Sequence, residues 1–98
     1  MPIKGITVDE ESIIQTILTP YKNKYDFFYY GSRVKGNYRP LSDLDIMIKG
    51  DKEADINDIN TIKTNFDNSN LPFIVNISDF YNLEEYFYKL IEQDLVKA

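Results

Sequence analysis

The chain has 98 residues, 43% of them hydrophobic and 28% charged, with a formal charge of −5. A chain of that length makes one small domain, burying roughly 60–65% of its unfolded surface, with no room for separate catalytic and substrate domains. It has no Cys and no His, which excludes disulfides, thiolate and imidazole chemistry and the metal sites built on those side chains. The acidic balance argues against non-specific nucleic-acid binding, and no apolar run is long enough for a membrane span. No apolar signal segment follows Met1-Pro2-Ile3-Lys4-Gly5, so the expected location is the cytoplasm.

Residues 1–6 read as a frayed lead-in. Thr7-Val8-Asp9-Glu10 has the form of a capping box, in which a threonine hydroxyl and a glutamate three residues on satisfy each other's backbone amides. Ile13, Ile14, Ile17 and Leu18 then fall on one helical face and Pro20 stops the run, predicting a helix over 8–19. Tyr25–Tyr30 is short, aromatic and closed by Gly31-Ser32, a buried strand. Residues 31–42 read as a loop with one helical turn, and Leu44–Lys49 as a second strand. Ile56, Ile59, Ile62 and Phe66 predict a helix over 55–67. Asn68-Ser69-Asn70 is a polar turn, and Phe73–Ile77 a third strand that begins after Pro72. Asn82 reads as the N-cap of a last helix whose apolar face is Phe87, Leu90, Ile91 and Leu95. The order predicts a small α/β (α+β) layer structure, a three-to-four-stranded mixed sheet flanked by about three helices, over residues 1–98.

The chemistry gathers between residues 31 and 45. Asp43 and Asp45 are two apart at the start of a strand, so their carboxylates share one face while Leu44 turns into the core. Two carboxylates so placed suit Mg²⁺, which takes one or two of them together with substrate phosphates; the bland alternative is a polar start to a strand. Gly31-Ser32 follows one strand and precedes a short turn, where backbone can approach a phosphate closely; taken alone it is equally a strand-ending turn. Together the two elements say more, because Arg33, Lys35 and Arg39 lie between them. The chain has nine lysines and only these two arginines, so an acidic protein gathers guanidinium forks where a triphosphate would sit.

The run Gly31-Ser32-Arg33-Val34-Lys35-Gly36-Asn37-Tyr38-Arg39-Pro40-Leu41-Ser42-Asp43-Leu44-Asp45-Ile46 resembles the signature of the DNA polymerase beta-like nucleotidyltransferases, and most closely the small minimal nucleotidyltransferases of bacteria and archaea. Length and element order fit that family over nearly the whole chain. The resemblance implies that Gly31 and Ser32, with Arg33, Lys35, Arg39 and Ser42, bind ATP or another NTP. It implies that Asp43 and Asp45 ligate two Mg²⁺ ions, and that a third carboxylate on the neighbouring strand shares one ion with the pair and helps deprotonate the attacking hydroxyl.

At that third position this sequence has Asn76. The amide is nearly isosteric with aspartate but neutral, cannot act as a base and offers a metal one oxygen. Asp79 lies three residues on, beyond the predicted strand, and Glu84 and Glu85 read as first-turn helix charges. Asn76 is compatible with a protein that binds nucleotide but transfers poorly, with a site that tolerates the amide, and with an introduced replacement. The resemblance further implies an antitoxin whose partner is a helical HEPN-type toxin, with AMP transferred from ATP to a tyrosine of that toxin. Tyr81, Tyr86 and Tyr88 are candidates for the partner surface, the plainer role being core and rim. A contact-only antitoxin and an enzyme acting on a small molecule such as an antibiotic are the alternatives.

Overall fold

The computed structural model describes residues 3–98. Its elements are α1 (Val8–Leu18), β1 (Asp26–Tyr30), α2 (Ser32–Lys35), β2 (Leu44–Lys49), α3 (Ile56–Asp67), β3 (Val75–Asp79), α4 (Glu85–Ile91) and β4 (Val96–Lys97), with short 3₁₀ turns at Thr19–Tyr21, Phe80–Asn82 and Glu92–Asp94. The strands form one mixed sheet in the order β3-β2-β1-β4. β1 is antiparallel to both β2 and β4, and β2 is parallel to β3.

Strand alternation divides the side chains between two faces. Phe27, Tyr29, Leu44, Ile46, Ile48, Val75 and Ile77 join the main core with Ile14 and Leu18 of α1 and Ile59, Ile62 and Phe66 of α3. The other face carries a smaller cluster of Tyr30, Met47 and Ile91, with Phe28, Phe80, Phe87 and Tyr88 packed against it. The capping box forms as the sequence predicts, Thr7 and Glu10 bonding reciprocally. Asp55 caps α3 by accepting from the Asn57 amide.

The structure differs from the sequence reading in five places. Ile3 and Ile6 are buried in the main core, so the described part of the lead-in is not frayed. Ile56 and Leu90, placed on apolar faces by helical periodicity, are exposed, because each lies at the edge of its helix's buried stripe. The third strand runs two residues later than predicted: β2 begins only at Leu44, which pairs with Val75, so Phe73 and Ile74 precede the ladder. Asp79 therefore lies within β3. The last helix starts after Glu84, not Asn82, and ends at Ile91, after which Val96 pairs with Tyr29. Among the described residues no helix is long and apolar enough to cross a membrane.

Candidate active site

The site lies where the C-terminal end of β1 meets the starts of β2 and β3, on the sheet face that carries α4. The β1–β2 ladder sets Tyr30 opposite Asp45, and the parallel β2–β3 ladder sets Asp45 opposite Asn76. Residues paired across a ladder project to the same side. Asp43, just before β2, completes the group: the Asn76 amide nitrogen lies 3.0 Å from Asp43 Oδ2 and 3.1 Å from Asp45 Oδ1. Two side chains paired across the ladder thus converge with a third from the residue just before β2. The start of β2 is held to β3 by the Leu44 amide, which donates to the Ile74 carbonyl at 2.8 Å.

Asp45 is half-buried. Burial pushes its carboxyl above the usual carboxylate range, the hydrogen bond from Asn76 opposes that rise, and the negative charge of Asp43 adds to it. Its neighbour across the ladder, Tyr30, is buried and shares a hydrogen bond of 3.2 Å with Ser78 Oγ. Neither Tyr30 nor Ser78 stands out in the sequence as a site residue. Their signal is strand parity, since Ser78 lies two residues beyond Asn76 on one face.

Gly31 caps α2 with φ +87° and ψ −160°. A Cβ there would stand well inside van der Waals contact with Asp45 Oδ2 and 3.3 Å from Asp45 Cγ. The glycine is therefore required twice, by its backbone angle and by the carboxylate pressed against it. Gly31→Ala is expected to cost about 1–3 kcal/mol of stability and to displace Asp45. Urea unfolding together with nucleotide titration checks this, and wild-type values in both would refute it.

After Gly31 the chain makes a single helical turn. The Val34 and Lys35 amides both return to the Gly31 carbonyl at 3.1 Å, so the Ser32 and Arg33 amides precede the first intrahelical bond. Gly36 ends the turn at φ +90°. Residues 39–42 form a second turn, in which Ser42 Oγ accepts from the Arg39 amide at 2.8 Å and the Ser42 amide donates to the Arg39 carbonyl at 3.0 Å. This turn delivers the chain to Asp43.

The three cations expected to face phosphate are placed differently. Arg33 is only 3% exposed. Its guanidinium donates to the carbonyls of Gly5 at 2.6 Å, Ser42 at 2.9 Å and Pro40 at 2.9 Å, and lies over the Phe73 ring at 4.0 Å. It straps the pre-helix segment to the 39–42 turn and is not a phosphate-facing cation, because its donors are spent on backbone. Lys35 lies 3.8 Å from Asp94 in an exposed ion pair. Arg39 is exposed, with no hydrogen bond or ion pair from its guanidinium among the described residues. Asp79 does not join the site: its carboxylate accepts from the Ala54 and Tyr81 amides at 2.7 and 3.0 Å.

A glycine turn thus stands against one of two converging carboxylates, on a mixed sheet with β2 parallel to β3. The sequence matches the family described as polymerase beta, nucleotidyltransferase over residues 12–96, and the chain belongs to that family. It is of the minimal nucleotidyltransferase type. Among its relatives is the probable protein adenylyltransferase MntA of Haemophilus influenzae, 33% identical over 88 residues that cover 90% of this chain and 77% of that protein.

Proposed function

We propose that the protein transfers AMP from ATP to a hydroxyl of a partner protein, a tyrosine of a helical HEPN-type toxin, and so acts as a cytoplasmic antitoxin. The observation that carries the reading is the convergence of Asp43 and Asp45 beside the Gly31 turn, in a chain related to a probable protein adenylyltransferase. In the reaction the acceptor oxygen bonds to the α-phosphorus, the bond to the β-phosphate oxygen breaks, and pyrophosphate leaves. The hydroxyl proton passes to water or to a carboxylate; of the three converging side chains only Asp43 and Asp45 can take it. The Ser32 and Arg33 amides, which precede the first intrahelical bond after Gly31, donate to phosphate oxygens in this reading, and Ser32 Oγ adds a donor. Ser42 shapes the turn before Asp43. Lys35 and Arg39 remain the candidate side-chain cations.

The donor set fits the divalent metal that the family implies. Two carboxylates within reach of one amide nitrogen suit one Mg²⁺ completed by water and phosphate oxygens. Among the described residues no group of three carboxylate, imidazole or thiolate side chains stands together as a metal site. Asp43 and Asp45 would hold the ion, which when bound neutralises phosphate charge.

The test is label transfer from α-labelled ATP with Mg²⁺ to the product of the neighbouring gene, using the protein and Asn76→Asp in parallel. Labelled partner with the wild-type chain is the expected result. No label with either form would overturn the reading. Label only with Asn76→Asp would favour a second reading, a contact-only antitoxin, which the neutral Asn76 supports; undiminished neutralisation without ATP or metal would favour it too.

The partner surface is proposed on α4, on the same face of the sheet as the carboxylates. Tyr86 and Leu90, one helical turn apart, are 66% and 62% exposed, whereas Tyr88 packs edge-on to Phe80 and Tyr81 bonds to the Gly50 carbonyl. Tyr86→Glu combined with Leu90→Glu is expected to weaken partner binding at least about tenfold while leaving ATP affinity and melting temperature unchanged. Co-purification and ATP titration measure the two sides, and unaltered partner binding would move the surface elsewhere.

A further inference from the structure

Asn76 does more than occupy the place of a missing carboxylate. Ionised carboxylates only accept hydrogen bonds, so with Asp43 Oδ2 and Asp45 Oδ1 at 3.0 and 3.1 Å the nitrogen side of the amide must face them. One NH₂ group then serves both acids, one hydrogen to each. It offsets the repulsion of two neighbouring negative charges by directing partial positive charge between them. The ladder sets the two side chains next to each other, since Asp45 and Asn76 are direct partners in it.

We propose that Asn76 is a latch that a divalent cation must open. Without a cation its amide nitrogen ties Asp43 to Asp45 and keeps the pair convergent. A cation shared by the two carboxylates repels that NH₂ group, so its arrival breaks both hydrogen bonds. Half a turn about χ2 then presents the amide oxygen. This rests on the reading of Asp43 and Asp45 as metal ligands. Breaking the latch opposes binding of the bare ion, and the site lacks the third negative charge that would compensate. A cation that arrives with ATP brings phosphate oxygens and their charge with it. The site therefore loads with the cation–nucleotide complex and only feebly with the cation alone, and the empty protein needs no cation to keep its carboxylates in place.

The test uses Mg²⁺ and Mn²⁺ alone, by calorimetric titration and thermal melts, on the wild-type protein, Asn76→Ala and Asn76→Asp. Asn76→Ala removes the latch and should bind the bare ion as tightly as wild type or more tightly. Asn76→Asp should melt below wild type without a cation, because three carboxylates then face each other. It should bind the ion at least about tenfold more tightly and recover its melting temperature on loading. The Asn76 side-chain amide signal in NMR, identified by its loss in Asn76→Ala, should shift when Mg²⁺ and a non-hydrolysable ATP analogue are added together. Weaker cation binding by Asn76→Ala would overturn the latch, showing the amide to be a ligand first. So would an Asn76→Asp protein as stable without cation as wild type. A separate control addresses the underlying reading: if Asp43→Ala in the Asn76→Asp background leaves Mn²⁺ affinity unchanged, the metal-site assignment itself fails.

Discussion

Replacing Asp43 and Asp45 together with alanine is expected to abolish Mg²⁺-dependent ATP binding and to lower transfer at least about 10³-fold, equivalent to about 4 kcal/mol of transition-state stabilisation. The fold should survive. Asp43 is exposed, and burial of the half-buried Asp45 opposes its negative charge, a cost that alanine removes. The double variant should therefore melt at or above the wild-type temperature. Nucleotide titration with and without Mg²⁺, alongside circular-dichroism melts, checks both halves. Unchanged ATP affinity in a folded double variant would remove these residues from the site.

Arg33→Ala has the largest expected effect on stability, a loss of about 3 kcal/mol or more. It leaves the Gly5, Ser42 and Pro40 carbonyls without their donor and opens a space beside Phe73. In a small domain stable by about 5–10 kcal/mol that is a large share. Arg33→Lys should recover less than half, since one ammonium cannot reproduce a planar fork that reaches three carbonyls. Urea unfolding gives the stability. If Arg33→Lys instead keeps full stability and loses ATP affinity, the residue belongs with the phosphate-binding cations after all.

The same arginine shows where sequence reading stops. Arg33, Lys35 and Arg39 look alike on paper, three cations in a phosphate-sized loop. What separates them is tertiary: Gly5 is far away in sequence, and its carbonyl takes one of the guanidinium's donors. The parts resting on local rules were legible. The Thr7–Glu10 box, the parity of Leu44 and Asp45 and the periodicity of α3 each follow from neighbours a few residues apart. Strand alternation places Ile74 and Asn76 on one side and Phe73, Val75 and Ile77 on the other, and the burial pattern follows it. The limits of β3 were not legible, because they depend on which of its residues pair with β2, a register set only after the chain has crossed over through α3. Nor was β4, whose two residues are too few for any periodicity. The convergence of Asp43, Asp45 and Asn76 was expected from resemblance, but the orientation of the Asn76 amide follows only from seeing both acids beside it.

The parallel pairing of β2 with β3 bears on the order in which the molecule assembles. β1 and β2 are joined by one loop and pair as a hairpin, so Gly31 and Asp45 can meet early. Asn76 reaches Asp45 only after residues 50–74, α3 among them, have crossed over the sheet. Closing that longer loop is the slower event. A chain caught midway would carry the glycine turn and both aspartates, yet the acids would repel each other with nothing between them until β3 docks.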